Sequence, residues 1–363
     1  MAPPPVVGFS DLPTEALDEI ARRAGPLDNV LCSAVCRSWR RALRTTRLRR
    51  LGRQPSLPHR IYMYPGSFWE EGQPPVVEVS RPYCRDSGRW AVKTVMDDGE
   101  VACARIIGSS YGWVITVDND TWAMSLLDPF TGRSFPLPPF IDSSRAGKQL
   151  RTEFRWGRQM FRKAAVAPGR RLGTYAVMLL HGGGRGLSYL APGATSWATL
   201  RPPRGMPHKY LDVIFHKGAF YTVSSYAEAN AWVPDGSGSL RTRRLTSPRR
   251  EQVWAVLTES ASGDGVLMVS STDTRDHDNY LSYDFRQRQY RVHRCAERER
   301  RWLPVENLEL EEMTIVVGGR CSFCVPRSYG YDVGDHGYRN ERVQATSSHW
   351  FLPYVARLDP AFW

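Results

Sequence analysis

YGWVITVDNDTWAMSLLDPFTGRSFPL, residues 111–137, decides the fold. The runs YGWVITV and TWAMSLL are separated by DND, and the second passes through DPFTG into RSFPL. Runs this short, rich in Val, Ile, Leu and Trp and bounded by Asp, Asn, Gly and Pro, predict β-strands joined by tight turns.

The same order recurs further along the chain. A second set reads GTYAVMLL, HGGGRG, LSYLA, PGAT, SWATL, and a third reads LDVIF, HKG, AFYTV, then NAWV, PDGSG, SLRTRRL. A fourth reads VWAVLTE, SASGDG, VLMVSS, then YLSYDF, RQR, QYRVHRC. Each is a strand, a tight turn, a strand, then an aromatic or leucine-rich strand that turns into a final polar strand. The third strands align as SLLDPFTG from Ser125, SYLAPGAT from Ser188, NAWVPDGS from Asn230 and LSYDFRQR from Leu281, at offsets of 63, 42 and 51 residues. Repeats of ~40–50 residues with four strands each are the signature of β-propeller blades. The stretch after position 57 has room for about six blades at ~50 residues each.

Before that point the period is helical. SDLPTEALDEIARRAG places Ala16, Leu17, Ile20, Ala21 and Ala24 on one arc at ~100° per residue, with Glu15, Asp18, Glu19, Arg22 and Arg23 opposite. Pro13 suits a helix start, Gly25-Pro26 ends the helix, and Asp28 can cap a second short helix over residues 29–35. In a third helix Val35, Cys36, Trp39, Ala42, Leu43 and Thr46 share a face, with Arg37, Arg40, Arg41, Arg44 and Arg47 on a neighbouring arc. Three short helices in about 40 residues bury too little surface to be comfortable alone, so this unit needs a partner or the rest of the chain. GRQPSLPH, residues 52–59, has neither period and reads as a linker.

The 363 residues have 42% hydrophobic and 24% charged residues, the balance of a folded globular protein. A net charge of +12 raises the chance of an acidic partner, nucleic acid included. Seven cysteines, an odd number spread thinly, point to a reducing compartment rather than to a disulfide framework. The start, MAPPPVVGFSDLP, lacks the regions of a signal peptide, and no apolar run approaches the ~18 residues of a membrane span. A soluble protein of the nucleus and/or cytoplasm is expected.

Four local patterns suggest chemistry and read better as structure. GSSYG, residues 108–112, satisfies the nucleophile-elbow spacing around Ser110, but WVITVDND follows as a strand where the elbow needs a helix. CSFC, residues 321–324, lacks the second ligand pair of a zinc site, and its cysteines point to opposite faces of an extended strand. HGGGRG, residues 181–186, lacks the Lys-Ser/Thr of a phosphate loop and reads as a flexible turn, and DTRDHDN, residues 273–279, lacks the glycine and terminal Glu of a calcium loop. Cys32 and Cys36 stand one helical turn apart with no histidine or further cysteine within twenty residues. No metal and no cofactor are expected.

FSDLPTEALDEIARRAGPLDNVLCSAVCRSWRRAL resembles an F-box, through Leu12-Pro13 before an amphipathic helix, Leu27-Asp28, and Val35-Cys36-Arg37-Ser38-Trp39-Arg40. The remainder is similar to plant F-box proteins whose C-terminal half is a KIB-type β-propeller, through GSSYGWVITVD, LLDPFTGRSFPLPP, the KGAFYTV hairpin, WLPVENL and SFCV. Asp128 stands where that family often has Asn. The resemblance implies a small all-α F-box of three helices followed by an all-β propeller of about six blades. It implies a disordered N-terminus at 1–8, the F-box at 9–50, a linker at 51–59 and the propeller at 60–358. It further implies docking on an Skp-type adaptor of a cullin-RING ubiquitin ligase through Leu12, Pro13, Leu17, Ile20, Leu27, Leu31, Val35, Cys36 and Trp39. The propeller would recruit a protein substrate of unknown identity, with no catalytic residue of its own. Neither nucleic acid nor membrane is expected among the partners. The alternative is a basic nucleic-acid-binding or scaffold protein without a ligase role.

Overall fold

The computed structural model describes residues 12–23, 39, 59–64, 76–81, 90–95, 104–118, 121–129, 132, 134–140, 160–169, 174–201, 209–235, 238–273, 289–306, 310, 312–318, 320–327, 338–340, 343–346 and 349–351. The chain divides into two units, one made of residues 1–57 and 352–363 and the other of residues 58–351.

In the first unit, helix α1 spans Thr14–Arg23. It begins directly after Pro13, whose carbonyl accepts the N–H of Leu17 at 3.1 Å. Proline has no N–H and a fixed φ, so it fits the position where an N–H would lack a helical partner anyway. Trp39 is also helical. The rest of the second and third helices read from the sequence, with Cys32, Asp28 and the 52–58 linker, lies outside the described residues.

The second unit is built mainly of β-strands among its described residues. In chain order the strands are β1 (His59–Tyr64), β2 (Val76–Arg81) and β3 (Trp90–Val95), then β4 (Ala104–Ser110), β5 (Trp113–Asp118), β6 (Met124–Leu127) and β7 (Ser134–Pro136). Next come β8 (Phe161–Pro168), β9 (Tyr175–His181), β10 (Gly186–Leu190) and β11 (Ala198–Thr199), followed by β12 (Tyr210–His216), β13 (Ala219–Ser224), β14 (Ala229–Pro234) and β15 (Leu240–Arg244). The last are β16 (Trp254–Glu259), β17 (Val266–Ser271), β18 (Arg291–Ala296), β19 (Arg301–Pro304), β20 (Met313–Gly318), β21 (Phe323–Pro326), β22 (Tyr338–Asn340), β23 (Val343–Thr346) and β24 (His349–Phe351).

These strands form four-stranded sheets, and in four of them the strands run in simple chain order: β4 to β7, β8 to β11, β12 to β15, and β16 to β19. All neighbours in these four sheets are antiparallel. The sheet of β20 to β23 departs from it, because β20 pairs with β23 in parallel. The remaining sheet joins the two ends of the unit: β24 pairs with β1, placing Phe351 opposite His59, and β2 and β3 continue outward.

Three of the predicted third strands, those containing Ser125, Ser188 and Asn230, are the third strands β6, β10 and β14. The fourth is corrected. QYRVHRC is not a final strand but contains the third, β18, and RWLP supplies the fourth, β19, across the turn at residues 297–300. YLSYDF lies outside the described residues.

The cores sit between sheets, and the alternation of each strand feeds two of them. Ala164 and Val166 of β8 and Val177 and Leu179 of β9 pack with Trp113, Ile115 and Met124 of the preceding sheet. Their neighbours in sequence, Ala165, Ala167, Met178 and Leu180, pack with Tyr210, Val213, Phe220 and Trp232 of the next sheet. Successive side chains of a strand point to opposite faces, so a strand sandwiched between two sheets is apolar throughout. The same interleaving continues from β12–β15 to β16–β19, and from there to β20 and β21. Each fully buried aliphatic side chain in these cores contributes about 1.5–3 kcal/mol.

The outer strands differ. β11 is two exposed residues, β7 is three residues ending in Pro136, and β15 shows four consecutive exposed positions that include Arg241, Arg243 and Arg244. Short strands, proline and charge at a sheet edge discourage pairing with another chain.

Candidate functional site

The sites expected from the sequence fall in both units. In the first, Leu17 is buried at 2% exposure and Trp39 at 7%, while Leu12 and Ile20 are half-buried and Pro13 is exposed. Leu27, Leu31, Val35 and Cys36 lie outside the described residues.

In the second unit, the chemistry-bearing motifs resolve into structural devices. Ser110 closes β4, and its hydroxyl donates to the carbonyl of Val166 on β8 at 2.8 Å. Tyr111 and Gly112 come next with φ of 51° and 75°, and Ser110 pairs across the turn with Trp113 of β5. That is a two-residue hairpin with both central residues left-handed, the geometry whose twist matches the flanking strands. A strand succeeds Ser110 where an elbow needs a helix N-terminus. Gly108, first glycine of the motif, sits where a Cβ would lie 2.0 Å from the carbonyl oxygen of Ala164, so it permits β4 to approach β8.

HGGGRG is a 3₁₀ turn over Gly182–Gly184, all three glycines at positive φ. Its flanking His181 shares a 3.0 Å hydrogen bond with the Ser188 hydroxyl and stacks at 4.6 Å from Phe140. Burial pushes the imidazole pKa down to about 4, so the ring is neutral near pH 7. Phe140 also meets Phe161 and Trp197, and the Trp197 indole donates to the Pro138 carbonyl at 2.8 Å. The segment leaving β7 is thereby latched onto the next sheet.

Of the CSFC pair, Cys324 joins the apolar core at 3.5 Å from the sulfur of Met313. Cys321 stands in a different environment, buried near Ser109, Lys163, Asp212 and Glu259, where desolvation raises its thiol pKa. Two cysteines in two environments do not form a chelating pair. Of the acidic run, Asp273 is described, its N–H donating to the Ser271 hydroxyl at 3.2 Å; residues 274–279 lie outside the described residues. Among the described residues no group of three or more His, Cys, Asp and Glu side chains is gathered as for a metal ion.

The first strands of successive sheets are joined by polar side chains that reach across. Arg105 of β4 donates to the Phe161 carbonyl of β8 at 3.2 Å, and Arg162 of β8 donates to the Leu211 carbonyl of β12 at 3.2 Å. Lys163 of β8 forms an ion pair with Asp212 of β12, and Asp212 accepts the N–H groups of Val213 and of Leu257 on β16, both at 2.7 Å. His216, at the far end of β12, meets Glu259 of β16 at 3.0 Å. Register slips in the first strands of three sheets, between Ile106 and Gly108 within β4 and at the starts of β8 and β12 between Phe161 and Lys163 and between Tyr210 and Asp212, mark local irregularities of the β-bulge kind. A bulge re-aims side chains locally, and here it is where the strands exchange hydrogen bonds. These buried charges were missed in the sequence because FRKAAVAP carries Arg162 and Lys163 in what is otherwise an apolar strand.

Four-stranded antiparallel sheets packed face to face and joined through their first strands define the class: the second unit is a β-propeller domain. The chain belongs to the KIB1-4 beta-propeller family, which it matches over residues 86–339, and it matches the F-box domain over residues 9–51. No curated relative matches it. Among solved structures, YCF48 bound to a D1 peptide is similar at 12% identity and a TM-score of 0.36, over 64% of this chain and 60% of that one. The chain thus spans about three fifths of that protein. The Malassezia sympodialis allergen Mala s 1 is similar at 12% identity and a TM-score of 0.37, over 73% of this chain and 81% of that one. Virginiamycin B lyase from Staphylococcus aureus is similar at 10% identity and a TM-score of 0.35, over 69% and 73%. Likenesses at this level carry no argument about binding or activity. Among the described residues no helix is long and apolar enough to cross a membrane.

Proposed function

We propose that the chain is the substrate-recognition subunit of an SCF-type ubiquitin ligase, with its F-box on the Skp-type adaptor and its propeller on a protein target. The observation that supports this is the presence of both modules in one chain, an F-box at 9–51 and a KIB1-4 propeller at 86–339. In this reading the F-box is a three-helix unit at 9–50, a linker covers 51–59, and the four-stranded sheets form six blades within 60–358. Leu12, Pro13, Leu17, Ile20, Leu27, Leu31, Val35, Cys36 and Trp39 supply the apolar residues shared between the adaptor and the F-box's own core. A marginal helical unit is stabilised when its partner covers what it cannot bury itself.

The chain performs no bond chemistry in this reading; ubiquitin transfer rests with the E2 and RING subunits. Holding target and adaptor together raises the effective concentration of target lysines near the charged E2. The complex works in the nucleus and/or cytoplasm.

The test is co-purification of the full chain with an Skp-type adaptor. Leu17→Asp places a charge at a position 2% exposed, and Trp39→Ala empties one 7% exposed. Both are expected to abolish adaptor capture while the propeller's thermal transition persists. Capture retained in both variants overturns the reading. Salt-sensitive retention on DNA or RNA without any adaptor capture would favour the basic nucleic-acid-binding or scaffold alternative.

A further inference from the structure

Strand β15 and the connection that follows it read LRTRRLTSPRR over residues 240–250, with five arginines and no acid. Within this stretch Ser247-Pro248 is the one place in all 363 residues where a serine or threonine precedes a proline. Arg250 stands three residues after the serine.

The fold presents this dipeptide and hides its neighbours. β15 is the last strand of its sheet, so the connection sets out from the rim, and residues 245–253 belong to no strand or helix. Leu245 and Thr246 are buried, whereas Ser247, Pro248 and Arg250 are exposed. The Thr246 hydroxyl donates to the Ala227 carbonyl at 3.1 Å and accepts the Ala229 N–H at 2.9 Å, which pins the chain on one side of the dipeptide. Arg249 pins it on the other, its N–H donating to the Tyr226 carbonyl at 2.7 Å. Between the pins Ser247 donates its N–H to the Arg300 carbonyl at 3.3 Å, and Pro248 has no N–H to give.

We propose that Ser247 is a phosphorylation site for a proline-directed serine/threonine kinase. A proline pushes the residue before it out of the helical region into an extended backbone, the form in which a kinase cleft takes its acceptor. A cleft that needs an N–H after the acceptor is refused by Pro248, and Arg250 offers a cation to an acidic rim. Thr246 follows Arg243-Arg244-Leu245, the spacing that arginine-directed kinases take, yet its hydroxyl is engaged inside the fold. In the transfer the Ser247 Oγ bonds to the γ-phosphorus of ATP as the bond from that phosphorus to the β,γ-bridging oxygen breaks. ADP leaves with that electron pair, and the hydroxyl proton passes to the kinase's base. The product adds about −1.5 to −2 charge at pH 7 to a stretch that is otherwise purely basic. This modification does not depend on the reading of the chain as a ubiquitin-ligase receptor.

The experiment incubates the folded full chain with a cyclin-dependent kinase and Mg-ATP, counts phosphoryl groups by intact mass and places them by fragment mass spectrometry. One group per chain, on Ser247, is the expected result, and Ser247→Ala should abolish it. Pro248→Ala should slow uptake about tenfold or more, and Arg250→Gln several-fold. Thr246 should stay unmodified in the folded chain, even with an arginine-directed kinase. A synthetic peptide of residues 240–253 reports whether the sequence alone is a substrate. Uptake by that peptide but not by the folded chain overturns the proposal, because the fold then hides the serine. Undiminished uptake in Ser247→Ala overturns it as well. Labelling of Ser247 by the arginine-directed kinase alone, unchanged in Pro248→Ala, assigns the loop to the other kinase class and equally overturns it. Ser247, Pro248 and Arg250 are exposed, and thermal unfolding of each variant checks that the fold is intact.

Discussion

The carboxylate of Asp212 accepts the backbone N–H of Leu257 at 2.7 Å, tying the first strand of one sheet to the first strand of the next. Its other oxygen pairs with Lys163, so one side chain at 1% exposure engages three sheets. Asp212→Ala leaves a buried lysine and a buried N–H without their acceptor and is expected to cost about 3–5 kcal/mol. Lys163→Met with Asp212→Asn should recover a large part of that loss, because the stranded charge is gone. Urea unfolding of both variants measures the difference.

Gly108→Ala is expected to destabilise the propeller by several kcal/mol or to prevent its folding, because the added carbon meets the Ala164 carbonyl at 2.0 Å and backbone cannot step aside. Gly193→Ser has open space at its Cβ, and its φ of 77° should limit the cost to about 1 kcal/mol. Thermal unfolding should rank the two in that order.

Ser110→Ala removes a donor to the Val166 carbonyl and is expected to cost about 1 kcal/mol, with fluorophosphonate labelling identical to the wild type. Labelling that disappears in the variant would show a nucleophile where the hairpin geometry places a structural hydroxyl.

His181 gives the fold a pH dependence. Its pKa lies near 4 in the folded chain against 6.5 when exposed, so the unfolded chain binds the extra proton between those values. Its contribution is complete above pH 6.5 and is lost as pH falls towards 4, by at most ~3 kcal/mol. The melting temperature should fall across that window, and His181→Asn should flatten the slope. A slope unchanged by the substitution would assign it to other groups.

Where strands alternate or carry a turn signal, the fold was legible: HKG marks a real turn, and Ser125, Ser188 and Asn230 lie on true third strands. The first strands were harder to read. β8 opens with Arg162 and Lys163, which look like surface residues until a carbonyl and a carboxylate of the next sheet answer them. QYRVHRC reads as a final strand because a strand's rank in its sheet depends on the next strand along the chain, and RWLP is too short to show a period.

The joining of β24 to β1 sets a schedule on the ribosome. The residues that pair, His59 and Phe351, are made 292 positions apart, which at ~5–20 residues per second is roughly 15–60 s of translation. The first three strands of the closing sheet must wait through that interval without their fourth. Helix α1 before them emerges earlier still, so under the proposed function an adaptor can meet nascent chains that have no finished propeller to offer a target.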